Sequence, residues 1–202
     1  MIAPPERSPG RDAALGAFLP HVAMTGWTVP ALMAAAGPNA DLLFPGGAAD
    51  MVEAYCDLAD RWMEDGAAGE GLNALRVPAR VRALVALRLA QNRPYKDAVR
   101  RALAILALPG HARLAARCTG RTVDAIWHAA GDASADFSWY TKRAILTAVY
   151  GATLLYWLRD DSEADEATLA FLDRRLAGVG RTGRVRARAD AFLRRLRPVR
   201  AT

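Results

Sequence analysis

Prolines and glycines divide this chain into segments of helix length, and within those segments Ala, Leu and Arg dominate while runs of β-branched residues are scarce. That punctuation leaves little room for a sheet and predicts an all-α fold. The 202 residues, just over half of them hydrophobic, suffice for one sizeable helical domain, or for a small N-terminal subdomain feeding a larger one. The uncharged stretch from Ala144 to Leu158 has 15 residues, short of the roughly 20 that cross a bilayer, and reads as a buried core helix.

Residues Met1 to Gly10, with Pro4, Pro5, Glu6 and Pro9, have neither the apolar core of a secretory leader nor the acid-poor amphipathic pattern of a transit peptide, so residence in the cytoplasm is expected. The two cysteines, Cys56 and Cys118, lie far apart in sequence. They predict buried, inert thiols in place of a disulfide framework or a thiolate metal site. The net charge of +6 is unevenly placed: residues 181–202 hold eight Arg and one Asp, which leaves residues 1–180 at about −1.

Helices are predicted over Arg11 to about Val22, from Thr28 to Ala36 with Pro30 in the first turn, and over Asp50 to Asp65. A short helix or turn covers Asn39 to Phe44. The Gly-rich stretch Gly66 to Gly71 reads as a loop and as the boundary of a first subdomain, 1–65. Further helices are expected over Val77 to Gln91, Tyr95 to Leu108, His111 to Ala130 with an interruption at Gly120, Asp136 to Leu158, and Asp165 to about Val179, forming a bundle over 66–180. Gly178, Gly180 and Gly183 then mark a hinge before a last helix, Arg184 to Arg197, in a basic segment 181–202.

Three short helices ahead of a larger bundle resemble the layout of the TetR-type regulators, with a helix-turn-helix first and a ligand-binding bundle after it. Between Asp12 and Asp60, however, there is no Lys or Arg, while Asp12, Asp41, Asp50, Glu53, Asp57 and Asp60 are acidic. Such a surface repels phosphates, so the helix-turn-helix reads as degenerate and no nucleic acid is expected as a partner.

The most distinctive stretch is Gly131 to Arg143. Asp132, Ser134 and Asp136 are all able to cap the helix that starts there. Trp139 and Tyr140 point about 100° apart on a helix, next to Lys142 and Arg143. Core packing with solvated charges and an aromatic-plus-Arg interface are comparable readings of these residues.

The run Ile126-Trp127, Ala130-Gly131-Asp132 and Asp136 to Arg143, followed by Leu146 and Tyr150, resembles the ubiquinone (coenzyme Q) biosynthesis accessory proteins, the Coq-nine family. The resemblance extends less specifically to Trp27, to Phe44-Pro45-Gly46-Gly47 and to the terminal amphipathic helix. Ser138 departs from the Asn often found there. The resemblance implies a TetR-like fold without DNA binding, a homodimer, and a hydrophobic pocket for an isoprenoid lipid or quinone intermediate. It also implies a partner, the di-iron demethoxyubiquinone hydroxylase, met through Asp136, Trp139, Tyr140 and Arg143.

Small residues Ala144, Ala148, Gly151 and Ala152 interleave with Leu146, Val149, Tyr150 and Leu154 in the helix after the motif. Besides ordinary packing, such a helix makes a pocket wall, with Leu146, Val149, Tyr150 and Leu154 as the lining. In the last helix Val185, Ala189, Phe192, Leu193 and Leu196 share a side, while Arg184, Arg186, Arg188, Arg194, Arg195 and Arg197 flank or oppose them. That pattern predicts docking on an anionic membrane through Arg188, Phe192, Leu193, Arg194, Arg195 and Leu196, at about 1 kcal/mol per basic residue. The expected place is the cytoplasmic face of a bacterial inner membrane. His21, His111 and His128 have no Glu or His at metal-ligand spacing, and no phosphate loop or nucleophile motif occurs. A non-catalytic protein without metal or cofactor is the resulting expectation, with a ligand-responsive TetR-type regulator as the alternative.

Overall fold

The computed structural model describes residues 2–132 and 137–178. Its helices are α1 (Pro9–Thr25), α2 (Val29–Ala36), α3 (Gly47–Gly69), α4 (Val77–Asn92), α5 (Lys96–Leu106), α6 (Ala112–Ala129) and α7 (Phe137–Trp157). A last described helix, α8, runs over 166–178, and the described residues contain no strand. Single 3-10 turns at Ala40–Leu43, Leu72–Ala74, Arg93–Tyr95, Pro109–His111 and Glu163–Asp165 fill the connections.

Local chemistry sets most of the boundaries. Ser8 caps α1 by accepting the Arg11 N–H at 3.1 Å, with Pro9 in the first turn, and Gly26 ends that helix at φ +71°. The 28-residue uncharged run 13–40 is thereby broken into α1 and α2. Among the described residues no helix is long and apolar enough to cross a membrane.

Two glycines expected to interrupt helices lie inside them. At Gly66 an added Cβ would stand 2.6 Å from Gln91 Nε2 and 3.3 Å from Leu87, so this glycine lets α4 approach α3, and α3 continues to Gly69. At Gly120 a Cβ would stand 2.5 Å from Ile2, so α6 passes unbroken beneath the N-terminal segment. Close packing, which sequence spacing does not display, overrides the helix propensity of glycine here.

The core is one cluster running from Leu15, Phe18 and Val22 of α1 through Met51, Leu58 and Met63 of α3 to Leu84 of α4, Ile126 of α6 and Trp157 of α7. Each large apolar side chain of this kind contributes roughly 1.5–3 kcal/mol on burial. Trp27 joins the N-terminal helices to the bundle: it packs edge-on against Phe18, with ring centroids 5.7 Å apart, and its Nε1 donates to the Ala98 carbonyl at 3.0 Å.

The acidic residues of the N-terminal region are largely answered by arginines. Arg7 pairs with Asp57 at 2.7 Å, Arg61 with Asp12 at 2.7 Å, Arg121 with Glu53 at 2.9 Å and Arg88 with Asp60 at 2.8 Å, and Arg11 is bonded to Asp50. The acidic surface read from the sequence is therefore mostly internal ion pairing, with partners that lie outside the 13–60 window. Between α2 and α3 the chain makes only the 3-10 turn Ala40–Leu43.

Candidate functional site

The motif surface is built where α6 turns into α7. Ala130 closes α6, Gly131 follows at φ +75°, the Gly131 N–H bonds the His128 carbonyl at 2.9 Å and the Asp132 N–H bonds the Trp127 carbonyl at 3.0 Å. These paired bonds are a Schellman cap, and they explain the Ala130-Gly131-Asp132 part of the motif. A Cβ on Gly131 would also meet Arg80 Nη1 at 2.9 Å, and Arg80 itself donates to the Ala130 carbonyl at 3.1 Å. Gly131→Ala is expected to lower stability by about 1 kcal/mol or more, because it adds left-handed strain to a displaced Arg80. Thermal unfolding with the wild-type midpoint retained would remove this role for Gly131.

From that turn the first two turns of α7 present the aromatic pair. Trp139 is half-buried and Tyr140 is 68% exposed, with ring centroids 4.8 Å apart at 76°. Arg143 lies 3.8 Å from the Trp139 ring centroid and donates from Nε to Asp124 at 2.5 Å, which anchors the pair to α6. Lys142 reaches back to Asp132 at 2.8 Å and lies 5.7 Å from the Trp127 ring centroid. Trp139, Tyr140 and Arg143 are thus brought together on one surface, and Tyr140 is left largely in solvent. Asp136 lies outside the described residues.

Farther along α7, a small cavity of about 60 Å³ lies between α3, α4, α5, α6 and α7. Tyr150, Leu154 and Trp157 of α7 form one wall, with Val99, Ala102, Leu103 and Leu106 of α5 opposite. The remaining wall is polar. Arg88 bonds Asp60, Thr122 donates to Asp60 at 3.1 Å, the Tyr55 hydroxyl donates to Asn92 Oδ1, and Asn92 donates to the Arg88 carbonyl at 2.7 Å. Burial pushes the Tyr55 hydroxyl pKa far above its usual value and that of Tyr150 to about 12, so both remain donors at neutral pH. Trp157 Nε1 is buried without a hydrogen-bond partner.

Of the four residues expected to line a lipid pocket, Tyr150 and Leu154 lie on the wall of this small cavity, while Leu146 and Val149 are buried in the core and do not line it. Their helical spacing does not tell a wall from a filled interior. The polar wall on α3, α4 and α6 is not legible as a site in sequence, because Tyr55, Arg88 and Thr122 come from three separate helices. The six residues expected to dock on a membrane, Arg188, Phe192, Leu193, Arg194, Arg195 and Leu196, lie outside the described residues. Among the described residues no three His, Cys, Asp or Glu side chains are grouped to hold a metal.

Comparison with known proteins adds a family signal centred on this region. A family model described as COQ9 matches residues 112–183. The chain is 41% identical over 97 residues to the ubiquinone biosynthesis protein COQ9, mitochondrial, of Xenopus tropicalis, a match covering 48% of this chain and 31% of that protein. The Schizosaccharomyces pombe protein of the same description is 32% identical over 163 residues, covering 78% of this chain and 65% of that one. The Drosophila melanogaster protein is 32% identical over 178 residues, covering 82% and 54%. The match therefore spans about a third of the length of the Xenopus relative. In fold, the chain is similar to a TetR transcriptional regulator from Nitrosomonas europaea, with a TM-score of 0.69 at 24% identity, covering 84% of this chain and 97% of that one. At that identity the likeness establishes the fold alone.

Proposed function

Because this chain belongs to the COQ9 family of ubiquinone biosynthesis proteins, we propose that it is a non-catalytic accessory protein that binds an isoprenoid quinone intermediate at a membrane and presents it to the di-iron demethoxyubiquinone hydroxylase. The observation that carries the reading is the Trp139–Tyr140–Arg143 surface. Asp124 anchors Arg143, which lies against the Trp139 ring, while Tyr140 stays largely in solvent. Large aromatics stacked with an arginine at low conformational entropy are favoured anchors for a protein partner.

The cavity behind α7 supports the ligand half of the proposal. Its apolar walls suit a prenyl chain, and Trp157 Nε1, buried without a partner, offers a donor to a ring oxygen. Its volume is that of about two waters, at roughly 30 Å³ each, so a chain enters only as α5 and α7 part. The protein itself makes and breaks no bond in this scheme, and it acts as a homodimer.

The basic segment 181–202 supplies the membrane contact in this reading, through an apolar stripe flanked by arginines. Co-sedimentation with anionic vesicles is expected to be strong for the full chain, weakened by salt, and lost on truncation after Gly183. Equal binding by both forms, or binding by neither, overturns that role.

A further inference from the structure

We propose that Arg93, Lys96 and Arg100 form a latch that holds α5 against the end of α7, and that its release sets how fast the cavity between these helices opens. All three side chains reach across to the corner where α7 gives way to α8. Arg100 Nη2 donates to the Leu158 carbonyl at 2.7 Å, Lys96 Nζ donates to the Asp160 carbonyl, and Arg93 donates from Nε and Nη2 to the Asp165 carboxylate at 2.9 and 2.7 Å. The Leu158 and Asp160 carbonyls lie just past the last residue of α7, Trp157, where a helix favours cationic donors. Lys96 Nζ also stands 5.1 Å from the Trp157 ring centroid, and Trp157 is part of one cavity wall. The next residues along α5, Val99, Ala102 and Leu103, are part of the opposite wall. The three cations therefore tie together the two walls that must part.

The corner they hold is strained. Ala164 and Asp165 stand at φ +52° and +59°, a left-handed conformation that non-glycine residues keep only where surrounding contacts enforce it. The Asp160 carboxylate supports the corner from within, accepting the Ser162 and Thr168 N–H groups at 2.9 and 2.7 Å. Arg93 supports it from across the gap, through Asp165 itself. The side chains of Arg93 and Arg100 are about half exposed, so water replaces their partners one at a time and the latch opens without unfolding the bundle.

Cys56 and Cys118 line the same cavity, Cys118 buried and Cys56 half-buried. Their reactivity therefore reports its opening without reference to any lipid. The bearing of the latch on ligand entry rests on the lipid-binding reading, whereas the opening of the cavity does not.

The test follows alkylation of both thiols by iodoacetamide in the full folded chain, mapped by peptide mass spectrometry. Lys96→Met/Arg100→Met is expected to raise the rate about tenfold or more, and Arg93→Met to raise it less. Lys96→Arg/Arg100→Lys keeps a cationic donor at each position and is expected to stay near the wild-type rate. Urea unfolding of the same variants separates local opening from lost stability, since the latch requires the rate to rise by more than the fall in global stability accounts for. An unchanged rate in the double Met variant, or a rise that only matches the lost stability, overturns the proposal. Uptake of a quinone from loaded vesicles is expected to quicken in parallel. Faster alkylation with no uptake by any form supports the latch and contradicts the lipid-binding reading.

Discussion

Replacing Arg88 by leucine is expected to destabilise the protein by about 3–5 kcal/mol, because it leaves a buried carboxylate without its cation. Arg88 is only 7% exposed and Asp60 6%, and the pair is joined at 2.8 Å with Thr122 as the second donor to Asp60. Burial already pushes the Asp60 carboxyl above its ordinary range against the opposing influence of Arg88 and Thr122. Without Arg88 that upward shift grows. A carboxyl with a raised folded-state pKa favours the native state in its protonated form, so the variant loses further stability as pH rises from about 5 to 8. Urea unfolding at the two pH values checks both the size and the slope. The double variant Arg88→Leu/Asp60→Leu is expected to recover most of the loss, since two apolar side chains replace a pair whose desolvation nearly cancels its attraction. A single variant within about 1 kcal/mol of wild type would show that the cavity wall does not depend on the pair.

Trp139→Lys is expected to weaken association with the di-iron hydroxylase by about 30-fold or more, corresponding to a hot-spot loss of about 2 kcal/mol. The substitution removes the half-buried ring that supports both Tyr140 and Arg143 and sets a second cation beside Arg143. Helical content, thermal midpoint and vesicle binding are expected to stay near wild type, because Trp139 lies on the first turns of α7 and outside the buried core. Titration calorimetry with the hydroxylase gives the affinity directly. Unchanged association would discard this surface as the docking site.

The fold was legible in the sequence wherever one residue decides a boundary. Pro30 at the start of α2, Asn92-Arg93-Pro94 between α4 and α5, and Pro109-Gly110 before α6 all fall where the chain turns. What the sequence concealed depends on residues distant along the chain. Gly66 and Gly120 look like helix breakers until Gln91 and Ile2 are seen against them. The acids of the N-terminal helices look like an exposed patch until Arg7, Arg88 and Arg121 are found opposite Asp57, Asp60 and Glu53. In the motif, the aromatic pair and Gly131 were visible, but the role of Gly131 was not, because the Schellman cap and the contact with Arg80 exist only in three dimensions. The lining of the cavity was half legible: α7 was identified as a wall, and the polar side supplied by α3, α4 and α6 was not.

Carriage of an isoprenoid quinone intermediate is tested most directly by purifying the full chain from a membrane-containing extract without detergent, extracting the bound lipid with organic solvent, and identifying it by mass spectrometry. The same measurement after incubation with quinone-loaded vesicles provides the second arm. A stoichiometric prenylated quinone or quinone precursor in either arm is the predicted result. A chain that emerges folded and free of isoprenoid in both arms contradicts the account.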